Sequence, residues 1–242
     1  MRLPTESVNT MKALMSVAVL MVGTVAWPAV VVHELPSPGQ QTNSVSEGNF
    51  SSGRIDGPPP KPWQCSKNIE NVRVTVETPA GRPDSERWVR LVDNNDKETA
   101  NIRQSFAPVT SGRFQARLIS NKNGGRLFFN LGSGAASKPE ERAVQLSIDS
   151  DGSLVVRGEQ KPKTSLQIRT GEVYLVRCDF EPVKDGKAIR VLAELVEEST
   201  QRQSRAETEI ETQMAITTLR VTATRADTGV DYYVTDLSLT GR

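Results

Sequence analysis

Apolar and polar residues alternate along most of this 242-residue chain, and this period of two constrains its fold more than any other feature. Successive side chains of a β-strand point to opposite faces, so alternation over four to eight residues indicates a half-buried strand. Turn pairs such as Asp151-Gly152 separate the alternating stretches. The pattern predicts an all-β fold, a two-sheet antiparallel sandwich of about a dozen strands. Five stretches carry it most clearly: 72–77 (VRVTVE), 113–118 (RFQARL), 144–149 (VQLSID), 189–195 (IRVLAEL) and 233–239 (YVTDLSL).

One segment rich in helix formers, Glu194–Met214, is predicted to be β structure as well. It lacks the apolar residues at i, i+3, i+4 and i+7 with which a helix docks on a core. We expect a strand end, a polar loop over Glu198–Arg205, and then an exposed strand.

The N-terminal segment predicts export from the cytoplasm. Residues 13–32 form an uncharged apolar run behind Lys12, which is typical of a secretion signal. A run of about 20 apolar residues is also long enough to span a bilayer, so residues 1–32 are expected to be a signal peptide or a membrane anchor. Either alternative predicts a secreted, periplasmic or cell-envelope protein, and contact with a membrane is expected only through this segment and only if it is not cleaved.

Residues 33–62 are predicted to be a disordered linker because they are rich in Pro, Gly, Ser, Asn and Gln. Such a composition buries too little apolar surface to offset the entropy of ordering. The folded domain is therefore expected over residues 63–242.

Composition excludes several kinds of chemistry. The formal net charge is only +1 and basic residues are interleaved with acidic ones, which argues against nucleic acid as a partner. The single histidine, His33, precedes the predicted domain, so no catalytic triad with histidine and no His-ligated metal is expected there. Two cysteines are too few for a Cys₄ zinc site.

Several phrases, in this order, resemble the concanavalin A-like lectin/glucanase superfamily, and in particular its laminin-G-like jelly rolls of secreted bacterial proteins. They are SFAPVTSGRFQARLISN (105–121), GGRLFFNLG (124–132), AVQLSIDSDGSLVV (143–156), TGEVYLVRCDF (170–180), KAIRVLAEL (187–195) and DYYVTDLSLTG (231–241). The resemblance implies a jelly-roll sandwich that binds glycans, cleaves them or serves in adhesion. We expect a non-catalytic module whose partner is a polysaccharide, a cell-surface glycan or an envelope protein.

Aromatic side chains are the first candidates for glycan contact, because their flat faces stack on sugar rings. Tyr232 and Tyr233 are adjacent on one predicted strand, so one of them should face away from the core. Trp88 is a further candidate, although its position in the alternating phrase RWVRLV favours the core.

Acidic residues and thiols offer two weaker candidate sites. Asp93, Asp96 and Glu98 carry the oxygen ligands that calcium prefers, but a polar surface turn explains the same pattern, and no other cofactor is indicated. Cys65 and Cys178 could form a disulfide outside the cytoplasm, or Cys178 could simply be a small buried apolar residue.

The alternative enzymatic hypothesis rests on Glu207, Glu209 and Glu211. They resemble the Glu-x-Asp-x-Glu strand of the superfamily's glucanases. The resemblance implies that the outer two carboxylates serve as nucleophile and acid/base, and that the middle carboxylate tunes these two groups. Here the middle residue is Glu and the flanks are polar, whereas a central catalytic strand should be apolar between its acids. The sequence therefore favours a solvated strand over a catalytic one.

Overall fold

The computed structural model describes residues 42–122, 124–212, 214–226 and 228–241. Within these ranges the chain forms fifteen strands and two 3₁₀ turns, Pro139–Glu141 and Lys184–Gly186. The strands are β1 Thr42–Asn43, β2 Gln64–Cys65, β3 Val72–Glu77, β4 Trp88–Asp93, β5 Ala100–Val109, β6 Gly112–Lys122, β7 Arg126–Gly132, β8 Arg142–Ile148, β9 Ser153–Val156, β10 Lys163–Gln167, β11 Val173–Val183, β12 Ala188–Glu197, β13 Gln203–Glu211, β14 Ile216–Thr224 and β15 Val230–Gly241.

The strands form two antiparallel sheets. The first has the order β13-β12-β11-β6-β15-β4-β3, with β1 paired to the far end of β15. The second has the order β10-β9-β8-β7-β14-β5-β2. Asp151-Gly152 makes the tight β8–β9 turn, where Gly152 has the positive φ of 81° that glycine accepts without strain. The predicted all-β sandwich is confirmed.

The core lies between the sheets and is built from the apolar half of each alternating strand. Phe114 of the first sheet meets Phe129 of the second with ring centroids 5.4 Å apart. Tyr174 and Cys178 face the same interior, as the alternation of β11 predicts. One face of each sheet is therefore buried, and the opposite face of each sheet is available for function.

β15 departs from simple alternation. Tyr232 and Val234 face the main core, and so do Leu237 and Leu239. An irregularity between Thr235 and Ser238 in the pairing with β6 shifts the phase by one residue. The expectation that the alternation of 233–239 continues on one face is therefore wrong.

The segment from residue 43 to residue 62 packs on the sandwich, so the expected disordered linker is wrong for this part. Val45 and Phe50 are buried in the main core. The Phe50 and Trp63 rings lie 5.5 Å apart, and Trp63 Nε1 donates to the carbonyl oxygens of Ser46 and Glu47. Val45 and Phe50 order this otherwise polar segment because both side chains are buried in the core.

Residues 1–41 lie outside the described part of the chain, and with them the predicted signal or anchor at 13–32 and the first part of the predicted linker. No helix among the described residues is long and apolar enough to cross a membrane.

Candidate functional site

The three aromatic candidates are buried and none can stack on a sugar. Tyr232 is 1% exposed, and burial raises its pKa to about 12. Trp88 and Tyr233 lie on the outer face of the first sheet in a small cluster with Ile119 and Val173, and they are 0% and 6% exposed. One tyrosine does face away from the core, but other side chains cover it.

Arginines cover this small cluster. The guanidinium of Arg117 lies 5.2 Å from the Trp88 ring centroid, and that of Arg90 lies 5.5 Å from the Tyr233 ring centroid. Trp88 Nε1 donates to Glu86, and the Tyr233 hydroxyl donates to Glu77 at 3.1 Å. The ring faces and polar edges are thus occupied by side chains of the domain itself.

The carboxylate triplet lies on β13, the edge strand of the first sheet, and its three side chains are exposed. Lys184 Nζ is 2.7 Å from Glu209, and this hydrogen bond lowers the pKa of the Glu209 carboxyl. A general acid needs a raised pKa and a sheltered position. β13 begins at Gln203, so the polar loop before it ends earlier than the predicted Arg205.

The acidic residues proposed for calcium do not converge. Asp93 is buried and accepts the backbone N–H groups of Asn95 and Arg225, whereas Asp96 is ion-paired with the Arg225 side chain at 2.6 Å. Glu98 is exposed. No three Asp, Glu, His or Cys side chains of the described residues form a group that could hold a metal ion.

The two cysteines are separate free thiols, so of the two alternatives the structure shows the small buried residue at Cys178 and not the disulfide with Cys65. Cys65 is exposed on β2 at one edge of the second sheet. Cys178 is buried on β11, in the third strand from the β13 edge of the first sheet. Burial raises the pKa of the Cys178 thiol well above its ordinary range.

A groove of about 700 Å³ lies on the outer face of the second sheet, over its central strands β8, β7 and β14. Because partners in the register share a face, Arg220 of β14, Asn130 of β7 and Gln145 of β8 form one row across the floor. Gln145 Nε2 donates to Asn130 Oδ1 at 2.8 Å, which fixes both amides. Phe128 supplies an aromatic ring two residues along β7.

Two loops form the sides of the groove. The loop between β7 and β8 is fixed by Glu141, whose carboxylate accepts the backbone N–H of Ser137 at 2.8 Å and that of Lys138 at 3.2 Å. Thr218 of β14 donates to the Gly134 carbonyl at 2.9 Å and ties the same loop to the floor. On the other side, the segment after β9 contributes Gly158 and Lys161.

Among the described residues, five cationic side chains and no acidic one line this groove, which we name the basic groove; they are Arg126, Arg142, Arg157, Lys161 and Arg220. The nearby Asp149 pairs with Arg157 and lies 3.9 Å from Arg126. The guanidinium of Arg157 lies 5.8 Å from the Phe128 ring centroid. The groove combines fixed amides, hydroxyls and one aromatic ring with a strongly positive lining.

Sequence reasoning missed these residues. The cations are spread over 94 positions of the chain, from Arg126 to Arg220, and acidic residues lie between them. They share a face only because β14 pairs with β7, a pairing that periodicity does not reveal. The available signal was that Arg126, Asn130, Gln145 and Arg220 each occupy the polar phase of their strands, alternating with buried apolar residues.

Two solved structures with TM-scores above 0.5 are among those similar to this chain. A sialidase aligns with a TM-score of 0.53 at 12% identity over 74% of this chain, which corresponds to 17% of the sialidase chain. The exoplasmic/lumenal domain of VIP36, in a Ca²⁺/Man2-bound form, aligns with a TM-score of 0.51 at 8% identity over 81% of this chain and 86% of that one.

The fold is therefore a concanavalin A-like jelly roll. No protein-family model and no curated protein sequence matches the chain.

Proposed function

We propose that this chain is an extracytoplasmic, non-catalytic module that binds glycans in the basic groove. The observation that carries the proposal is the groove itself, which spans the central strands of one sheet. Its Gln145 amide, which the buried Asn130 holds in place, its threonine hydroxyls and its Phe128 ring are the groups with which proteins hold sugars. The VIP36 domain, which has the same fold, was solved with Man2 bound and adds support.

Affinity electrophoresis of the purified chain through gels containing neutral and acidic polysaccharides tests this function. We expect retardation by at least one polysaccharide, and its loss in Asn130→Ala with Gln145→Ala, because the floor then lacks its fixed amides. Failure of every polysaccharide to retard the chain contradicts glycan binding and favours an envelope protein as partner.

The same gels run with EDTA test the calcium alternative. We propose metal-independent binding, since Asp93 and Asp96 are already bonded to the Arg225 backbone and side chain. Loss of retardation in EDTA contradicts this.

A further inference from the structure

The arginines on the outer faces of the two sheets differ in whether carboxylates pair with them. On the first sheet, the arginines of β4, β6, β11, β12 and β13 are matched by carboxylates at ion-pair distance, and Arg73 of β3 is the exception among the described residues. Arg113 lies 2.6 Å from Asp179, Arg190 lies 3.1 Å from Glu181, and Arg205 lies 2.9 Å from Glu194. That face is therefore internally neutralised and offers little to a charged ligand.

The second sheet leaves three of its arginines without such partners, although Asp149 pairs with Arg126 and Arg157. Among the described residues, no carboxylate lies within ion-pair distance of Arg103, Arg142 or Arg220. Arg103 and Arg220 are directly opposite each other in the β5–β14 pairing. Like charges in that relation destabilise a sheet, so a structural role alone does not explain them.

Arg142 has a side-chain donor without a hydrogen-bond partner. Its Nε is buried, yet it has no hydrogen-bond partner, while its Nη2 donates to the Ser137 carbonyl. The preceding residue, Glu141, has its carboxylate engaged by the loop amides of Ser137 and Lys138. Burial, together with the charges of Arg103 and Arg142, lowers the pKa of Arg220 from its ordinary value. An anion bound in the groove beside Arg142 and Arg220 would relieve the repulsion between these guanidinium groups.

We infer that the basic groove selects glycans bearing sulfate or carboxylate groups, with Arg142 and Arg220 as the residues that bind the anionic substituent. This inference rests on the proposed glycan-binding function and adds the substrate class. A guanidinium donates two parallel N–H groups to either oxyanion, which makes arginine suited to both. Gln145, which the buried Asn130 holds in the same row as Arg220, is placed to bind a sugar hydroxyl beside it.

The probes are dextran, carboxymethyl dextran and dextran sulfate, which share one backbone and differ in charge, together with polyglutamate as an anion that is not a glycan. We expect at least tenfold tighter binding to one or both charged dextrans than to dextran or polyglutamate. The preferred derivative then distinguishes sulfate from carboxylate.

Equal binding to dextran overturns the charge selection, and equal binding to polyglutamate overturns the glycan selection. If neutral polysaccharides retard the chain and both charged dextrans fail to bind, the proposed function stands and this inference falls. If no polysaccharide of either kind binds, the proposed function itself fails.

Matched variants locate the effect. Arg142→Gln with Arg220→Gln should weaken binding of the charged dextran at least tenfold. Arg113→Gln with Arg190→Gln removes the same charge from the first sheet and should change it less than twofold. Equal losses of charged-dextran binding in the two double variants would contradict the assignment of the binding site to the basic groove.

A second variant keeps every arginine. Thr222 lies beside Arg220, whose Nε donates to its hydroxyl at 3.2 Å, and Thr222→Glu places a carboxylate in the groove. It should abolish charged-dextran binding with an unchanged circular dichroism spectrum. Unimpaired binding by this variant also overturns the inference.

Discussion

Single side chains fix the loops of this sandwich, and Glu197 shows how. It lies at the end of β12 and is fully buried. Its carboxylate accepts hydrogen bonds from the Thr200 hydroxyl and from the guanidinium groups of Arg169 and Arg202. One buried carboxylate thus joins the β12–β13 turn to the segment that precedes β11.

Glu197→Gln should lower the Tm at pH 7, because two arginines lose their charged partner. The Thr200 hydroxyl, with the arginines, lowers the pKa of this carboxyl to about 2 from an ordinary 4.5. A lowered folded-state pKa gives stability that is complete above about pH 4.5 and is lost as the pH falls toward 2. The Tm gap between wild type and variant should therefore narrow over that window in thermal scans. Glu211→Gln, at an exposed site, is the control; a gap that stays constant with pH contradicts the assignment.

The thiols should differ in reactivity. Ellman's reagent should titrate one thiol of the folded protein, Cys65, since Cys178 is buried and burial raises its pKa. Both should react in denaturant without a reductant. Finding no thiol under denaturing, non-reducing conditions would show that the two cysteines are bridged.

At the scale of elements, composition and packing disagree over the segment between β1 and β2. Its Pro, Gly and Ser content predicts disorder, yet Phe50 is 0% exposed and Ile55, five residues later, is 40% exposed. A composition average cannot detect this difference because it depends on where one aromatic ring meets the core.

Phe50→Ala should lower the free energy of unfolding by about 3–5 kcal/mol, the cost of removing a fully buried aromatic side chain. Ile55→Ala, in the same segment, should change it by less than about 0.5 kcal/mol. Urea denaturation measures both. Similar midpoints for the two variants would mean that the segment does not pack as described.

The edge strand β13 carries the prediction about catalysis. We expect the purified chain to release no reducing sugar from mixed-linkage glucan, laminarin, agarose or carrageenan, because Glu207, Glu209 and Glu211 are exposed on an edge strand and Glu209 is paired with Lys184. Release that disappears in Glu207→Gln or Glu211→Gln would establish the enzymatic alternative.

Periodicity predicts much about each strand and little about its neighbours. The alternation of 72–77 and 144–149 predicted correctly which side chains face the core. The Asp151-Gly152 pair predicted correctly the turn between β8 and β9. The basic groove could not be predicted, because it depends on β7 lying between β8 and β14, and β14 follows β7 by more than 80 residues. Local sequence patterns do not indicate which distant strands pair.

At the scale of the whole molecule, the two ends of the described chain are joined. Thr42 pairs with Gly241, Ser44 N donates to the Leu239 carbonyl at 2.7 Å, and Leu237 N donates to the Gly48 carbonyl. β15 is central in the first sheet, so the segment before β2 is anchored to the middle of the domain. The domain therefore begins before the predicted boundary at residue 63.

A chain that begins at Trp63 should consequently be far less stable than one that begins at Gln41. The shorter chain loses Val45 and Phe50 from the core, and Trp63 Nε1 loses both of its carbonyl acceptors. Losing Phe50 and these bonds should cost at least about 5 kcal/mol, a large share of the 5–15 kcal/mol that stabilises a typical domain. Urea denaturation followed by tryptophan fluorescence compares the two chains. Equal midpoints would restore the boundary at residue 63 and leave residues 43–62 without a structural role.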